Sequence, residues 1–248
     1  MKIAVVGHVE WIEFVGVERV PAQGEIVHAL EAWAEAAGGG AVAAVQLARL
    51  AGASILFTAV GDDDYGRRVE PELRAYEVRV EAAVWPDPQR HGFAYLDAAG
   101  ERTITVIGER MGPRRGDPLP WDVLANAGGV YFVSGDAEAV RAARASRVLV
   151  ATARSLPVLE EAGVQLDALV RSGSDEGERY RPGDLDPPPR LEVTTEGARG
   201  GTYSVAGKRL RRYEAVPVPG PVQDTYGAGD SFAAGLTFGL AQGSRGES

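Results

Sequence analysis

The stretch VQDTYGAGDSFAAGL, residues 222–236, places one carboxylate where chemistry could be done. Asp230 follows Gly227-Ala228-Gly229 and opens a run in which Phe232, Gly235, Leu236 and Gly239 recur at i, i+3, i+4 and i+7. That spacing predicts an apolar helix over Ser231 to Leu240. Its first turn carries a single acid, which has two readings. Either Asp230 complements the positive end of the helix dipole, or it stands beside an anion that the free N–H groups of that turn hold.

Three further stretches carry residue types of the same kind. AGGGAVAAVQLARLAG, Ala37 to Gly52, sets three glycines before an Ala-, Val- and Leu-rich helix. Gly38 and Gly39 would let a substrate approach the backbone closely, or would simply make a tight strand-to-helix turn. In TAVGDDDYGRR the three aspartates, Asp62 to Asp64, could hold a divalent ion or cap the following helix. TEGARGG, Thr195 to Gly201, has glycines spaced for a turn that hugs a phosphate or a ribose.

Other chemistry is excluded. The chain has no cysteine, so disulfides, Cys-ligated metals and thiol nucleophiles are absent. Its three histidines, at 8, 28 and 91, are not at ligand spacing. No G-x-G-x-x-G follows the first strand, which argues against a nicotinamide-dependent dehydrogenase. With a net charge of −9 there is no general basic surface for nucleic acid; the basic GKRLRRY, 207–213, reads as a solvated turn or strand. No apolar run is long enough to span a bilayer. MKIAVVGHVEW reads as a first strand, not a signal peptide, and the expected location is cytoplasmic.

The elements that must position these residues alternate. KIAVVG, SILFTAV, GVYFVS, RVLVAT, LDALV and RLEVTT read as strands, several of them continuously apolar and so covered on both faces. Helical patterns fall at 41–51, 66–76, 121–125, 137–145 and 231–240. The alternation predicts one α/β domain over 1–248, a doubly wound, mostly parallel sheet. Two segments, about 13–33 and 92–107, show period-two patterns with no helix between and predict a small β lid, the second a hairpin turning at 98–100. Open lid edges invite pairing, which predicts a homodimer through the lid. RPGDLDPPPR, 181–190, reads as a connection within the domain.

The order of these motifs resembles the ribokinase-like (phosphofructokinase B-type) carbohydrate kinases, from Lys2 to about Leu240. DTYGAGDSFAAG is similar to the family's second signature and GGGAVAAVQLARLAGASILFTAVGDDDYG to its first. VERVPAQGEIVHA is similar to the first lid strands. The resemblance implies a three-layer fold with a β lid, and γ-phosphoryl transfer from Mg-ATP to a hydroxyl of a sugar-like molecule. Asp230 would be the base, with the Gly227, Ala228 and Gly229 amides as anion hole. Thr195, Gly197, Gly200 and Thr225 would line the ATP site. Asp224 falls where some members hold a monovalent cation such as K+, and Mg2+ would bridge the phosphates of ATP. The helix end should lower the pKa of Asp230, leaving it ionised at neutral pH.

Three departures follow from the same alignment. The family's lid-edge Asn and Asp fall on Glu10 and Ile12, and its sugar-contacting Asn on Val42, so the grip on sugar hydroxyls differs here. Glu10 reads either as a replacement substrate contact or as an exposed or ion-paired acid. The family's Asn-x-x-Glu falls on Ser172 and Asp175, shorter stand-ins. Relatives continue for several tens of residues beyond the signature helix, so the chain reads as shortened at its C-terminus. These departures also leave open a non-catalytic ligand-binding or regulatory protein on the same fold.

Overall fold

The computed structural model describes residues 1–98, 100–218, 220 and 225–243. A nine-stranded sheet has the order β13-β12-β11-β10-β9-β8-β1-β4-β5. Its centre is built from β1 (Ile3–Val6), β4 (Ser54–Gly61), β8 (Gly129–Phe132), β9 (Leu149–Thr152), β10 (Ala168–Ser172) and β11 (Leu191–Thr195), all parallel. These are the six apolar runs read from the sequence, and most of their residues are buried. The edges are β5 (Val78–Trp85), parallel, and β12 (Gly201–Val205) with β13 (Arg211–Tyr213), antiparallel. Their mixed, half-exposed residues hid these three strands from a reading based on apolar runs.

Helices cover both faces. One face packs α1 (Gly38–Ala51), α2 (Asp64–Arg74) and α5 (Ala228–Ala241) on a core that includes Val5, Leu47, Leu56 and Tyr131. The other packs α3 (Ala137–Ala143) and α4 (Leu156–Ala162) on Phe57, Phe132, Leu149 and Leu169. The expected helix at 121–125 is a 3-10 turn, Trp121–Asn126, whose Trp121 ring stacks on Phe57. The sequence reading missed α4, only seven residues long and with a proline in its first turn. The aspartate run caps a helix: Asp63 Oδ1 accepts from Gly66 N–H at 2.8 Å, and Asp62 and Asp64 pair with Arg67. Among the described residues no His, Cys, Asp and Glu are grouped to hold a metal ion, and no helix is long and apolar enough to cross a membrane.

The second sheet is the lid, in the order β3-β2-β6-β7: β3 (Glu31–Ala37), β2 (Glu10–Gly16), β6 (His91–Leu96) and β7 (Arg102–Ile107). Its strands begin earlier and end later than expected around the first segment, and residues 17–30 form the connection between β2 and β3, not strands. The hairpin β6–β7 is antiparallel as read. The lid's inner face holds Ile12, Phe14, Ala37 and Ala94, with Tyr226 reaching up from the loop before α5. Phe14 stacks on Trp33 at 5.2 Å and meets Tyr226 edge-on at 5.4 Å. The loop before α5 is thereby anchored in the lid's own core.

Candidate active site

The N-termini of α1 and α5 meet beneath the lid, which puts the positive ends of two helix dipoles at one place. A Cβ on Gly39 would stand 2.9 Å from Asp230 Oδ1 and 2.9 Å from Val133 Cγ1, so glycine there lets the carboxylate lie against α1. Gly227, at φ +68°, caps α5; a Cβ on it would fall 2.5 Å from Val42 Cγ1. Val42 therefore supports the loop from behind and lies outside the cavity lining. Ala228 N–H turns to Thr225 O at 3.3 Å, and the first helical bond is Ser231 N–H to Gly227 O at 2.8 Å. The N–H groups of Gly229 and Asp230 have no acceptor among the described residues, the orphan donors of a helix start.

Around this junction lies a cavity of about 540 Å3. It is bounded by the lid, by both helix starts and by the C-terminal ends of β9, β10 and β11, where open α/β sheets bind ligands. Glu10, Gly38, Gly39, Thr195, Gly197, Thr225, Gly227, Ala228, Gly229 and Asp230 all line it. Gly200 does not. At φ +77° it turns the chain between β11 and β12, and a Cβ on it would meet Tyr213 O at 2.2 Å, so close packing on β13 accounts for the glycine. Asp224 lies outside the described residues.

Asp230 is half-buried, and Tyr131 Oη donates to its Oδ1 at 3.2 Å. Burial pushes its pKa above the ordinary aspartate value, against the Tyr131 hydrogen bond and against the lowering expected from the helix end. Desolvation thus outweighs that lowering, and Asp230 is a stronger base than a solvated carboxylate. Tyr131 is buried beside it, and both burial and the Asp230 charge raise its pKa well above the phenol range. Tyr226 rises to about 12, chiefly through burial, while Gly38 N–H donates to its Oη at 2.9 Å.

Glu10 lines the cavity but its oxygen is already engaged. Arg90 Nε donates to Glu10 Oε1 at 2.6 Å, and His8 Nε2 stands 3.6 Å from the same oxygen. Glu10 is thus ion-paired in the structure while still lining the cavity. Burial, then the charges of Arg110, Arg90 and Arg154, lower His8 to about 3, so its ring is neutral at physiological pH. Ile12, the other lid-edge position, is wholly buried in the lid core. On the opposite wall Asp175 pairs with Arg154, whose guanidinium also lies 3.1 Å from Glu178. Glu178 Oε2 accepts from Ser172 N–H at 2.7 Å.

Sequence reasoning missed Arg90, Arg102, Arg110, Arg154, Glu178, Tyr131 and Tyr226, which also line the cavity. Arg154 follows the end of parallel strand β9 and was findable by position. Glu178, three residues beyond the expected Asp175, ends a three-residue 3-10 turn, Glu176–Glu178, too short to show a period. Tyr131 sits in an apolar strand that gives no polar signal.

The fold and this cavity define an α/β protein with a candidate site beneath a β lid, and sequence comparison supplies its family. The profile of the pfkB family carbohydrate kinase matches residues 1–169 and 189–248, and the chain belongs to that family. An acarbose 7(IV)-phosphotransferase from Actinoplanes sp. is 49% identical over 55 residues, which span 22% of this chain and 18% of that protein. Among solved structures, ribokinase from Thermotoga maritima superposes with a TM-score of 0.76 at 19% identity, covering 98% of this chain and 86% of that one. Arabidopsis thaliana ribokinase, complexed with ribose and ATP, gives 0.74 at 19% identity, with 99% and 88% covered. Phosphofructokinase-2 from Escherichia coli gives 0.76 at 17% identity, also with 99% and 88% covered.

Proposed function

We propose that the protein transfers the γ-phosphoryl group of Mg-ATP to a hydroxyl of a sugar-like molecule. The acceptor oxygen forms a bond to the γ-phosphorus as the bond to the β–γ bridging oxygen breaks. ADP leaves, and the hydroxyl proton goes to Asp230. The observation that carries this reading is the placement of Asp230 beside the open amides of Gly229 and Asp230 at the start of α5, within one cavity that the lid covers. Pre-aimed donors at a helix start suit the charge that develops on a transferring phosphoryl group.

Thr195, Gly197 and Thr225 lie on the wall assigned to ATP, with Gly38 and Gly39 on the acceptor side. Mg2+ would neutralise charge on the ATP phosphates when bound. Asp175 and Glu178, the acids of the cavity wall opposite the lid, are both held by Arg154 and by backbone N–H groups, so either would have to leave those partners to approach the ion. Asp224 remains our assignment for a monovalent cation such as K+. The lid edge and the exposed Trp33 and Phe93 support a homodimer, which sedimentation velocity tests directly.

The test of the reaction is ADP release from Mg-ATP across sugars, sugar acids, sugar phosphates, polyols and nucleosides, with Asp230→Ala alongside. Acceptor-dependent release that falls by about 10²-fold or more in the variant is expected. Release indifferent to Asp230 refutes the assignment of the base. The second reading, a ligand-binding protein without turnover, is favoured by Glu10 and Arg90 closing on each other; ligand binding with no ADP release would establish it.

A further inference from the structure

The lid wall of the cavity offers a ligand an unusual set of groups. Alternate residues of β7, Arg102, Ile104 and Val106, face the cavity, as strand alternation requires. Gly108, at φ +90°, then turns the chain, its carbonyl accepting from Arg90 Nη1 at 3.0 Å, and Arg110 returns to the cavity. Arg90 is held by Glu10. Arg110 has no hydrogen-bond or ion-pair partner among the described residues. Arg102 has none either, beyond its guanidinium lying 5.4 Å from the Tyr226 ring centroid.

Across the cavity Arg154 takes up both Asp175 and Glu178, which leaves Asp230 as the one lining acid outside an ion pair among the described residues, and Tyr131 bonds to it. The free polar groups on the lid's strand wall are therefore two cations, set among apolar side chains. Desolvation chiefly lowers the pKa of Arg110, with the charges of Arg90 and Arg154 adding to it and those of Glu10 and Asp230 opposing it, none of them in hydrogen-bond contact with its guanidinium. A neutral polyol would leave that charge unanswered. A phosphate or carboxylate would answer it with paired, charge-assisted hydrogen bonds.

We propose that the phosphoryl acceptor is a hydroxylated molecule bearing its own anionic group, phosphate or carboxylate, which Arg110 and Arg102 of the lid hold while a hydroxyl faces Asp230. This rests on the kinase reading above. The anion stays bonded to the acceptor throughout, and the transfer step is unchanged by it.

The experiment measures binding and turnover separately. Calorimetry without nucleotide compares glucose, glucose 6-phosphate, gluconate and 6-phosphogluconate, and likewise fructose with fructose 6-phosphate, on the wild type and on R110Q and R102Q. Inorganic phosphate serves as the bare-anion probe. A charged member is expected to bind at least tenfold more tightly than its neutral counterpart, and R110Q to weaken that member by about 10- to 100-fold. The phosphorylated and carboxylated members distinguish the two sources of the anion.

With Mg-ATP, the loss in R110Q should appear in the acceptor KM, with the KM for ATP and the melting temperature unchanged. Neutral members binding as tightly as charged ones overturn the proposal. So do a loss in R110Q that falls on ATP, charged binding indifferent to both substitutions, binding by inorganic phosphate alone, and no binding by any charged probe. Selective charged binding without any ADP release would leave the anion site standing and refute the kinase reading instead.

Discussion

Gly229 offers a substitution in which stability and activity should move in opposite directions. It lies in the first turn of α5 with an ordinary helical backbone, and a Cβ added to it would meet no protein atom within 4 Å. Gly229→Ala therefore adds no clash and removes backbone freedom from the unfolded chain. Alanine exceeds glycine by roughly 0.5–1 kcal/mol in a helix interior, and at a helix end the lower value of about 0.5 kcal/mol applies. For a chain of this size that raises the melting temperature by about 1–2 °C.

The same methyl leans toward the helix N-terminus, because Cα–Cβ bonds tilt that way. It enters the space in front of the Gly229 and Asp230 amides, where the transferring phosphoryl group is proposed to sit. Blocking one such donor costs about 10²–10³ in kcat when it is removed outright; a methyl beside it should cost at least about tenfold. Differential scanning fluorimetry and steady-state ADP release read the two quantities on one preparation. Full kcat in Gly229→Ala would mean that nothing seats against this turn, and the anion-hole assignment would fall. A lowered melting temperature would mean that the space is not open as described.

Two more outcomes follow from the site's electrostatics. Tyr131→Phe removes a hydrogen bond that favours the ionised form of Asp230, so its pKa should rise further above the ordinary value. Asp230 accepts a proton only when ionised, so the acid limb of the kcat/KM profile should move to higher pH; an unmoved or lowered limb contradicts the assignment. Glu10→Ala strands Arg90, whose side chain is 16% exposed, and should destabilise the fold by about 3 kcal/mol, lowering the melting temperature by about 6–12 °C. Urea denaturation measures this; a cost under about 0.5 kcal/mol would show that the pair contributes little, and Glu10→Ala/Arg90→Met should recover part of the loss.

The central strands were legible because parallel strands covered on both faces are continuously apolar, a pattern that Ile3–Val6 and Leu149–Thr152 obey. The edges were not, since β5 and β13 alternate or sit in charged sequence. At the site, the glycines and Asp230 could be read because backbone approach to an anion demands small residues at fixed spacing. Arginine side chains carry no such spacing. Arg90, Arg102, Arg110 and Arg154 come from four places in the chain, and only the folded lid and sheet bring them around one cavity. The direction of the Asp230 pKa was also misread, because a helix end is visible in sequence whereas burial by Tyr131 and the lid is not.

β3 ends at Ala37 and α1 begins at Gly38, with no residue between them. The lid is thus no flap on a slack tether: its last strand and the helix that backs the catalytic junction share one peptide joint. Gly38 bears that joint at φ +84° and its N–H is held by Tyr226. Any rotation of the lid about Gly38 must break or bend that bond and drag the loop that presents Gly227. On the proposed reading, a displaced lid would also displace the turn that receives the phosphoryl group, so that closing the lid and assembling the site would be one mechanical event.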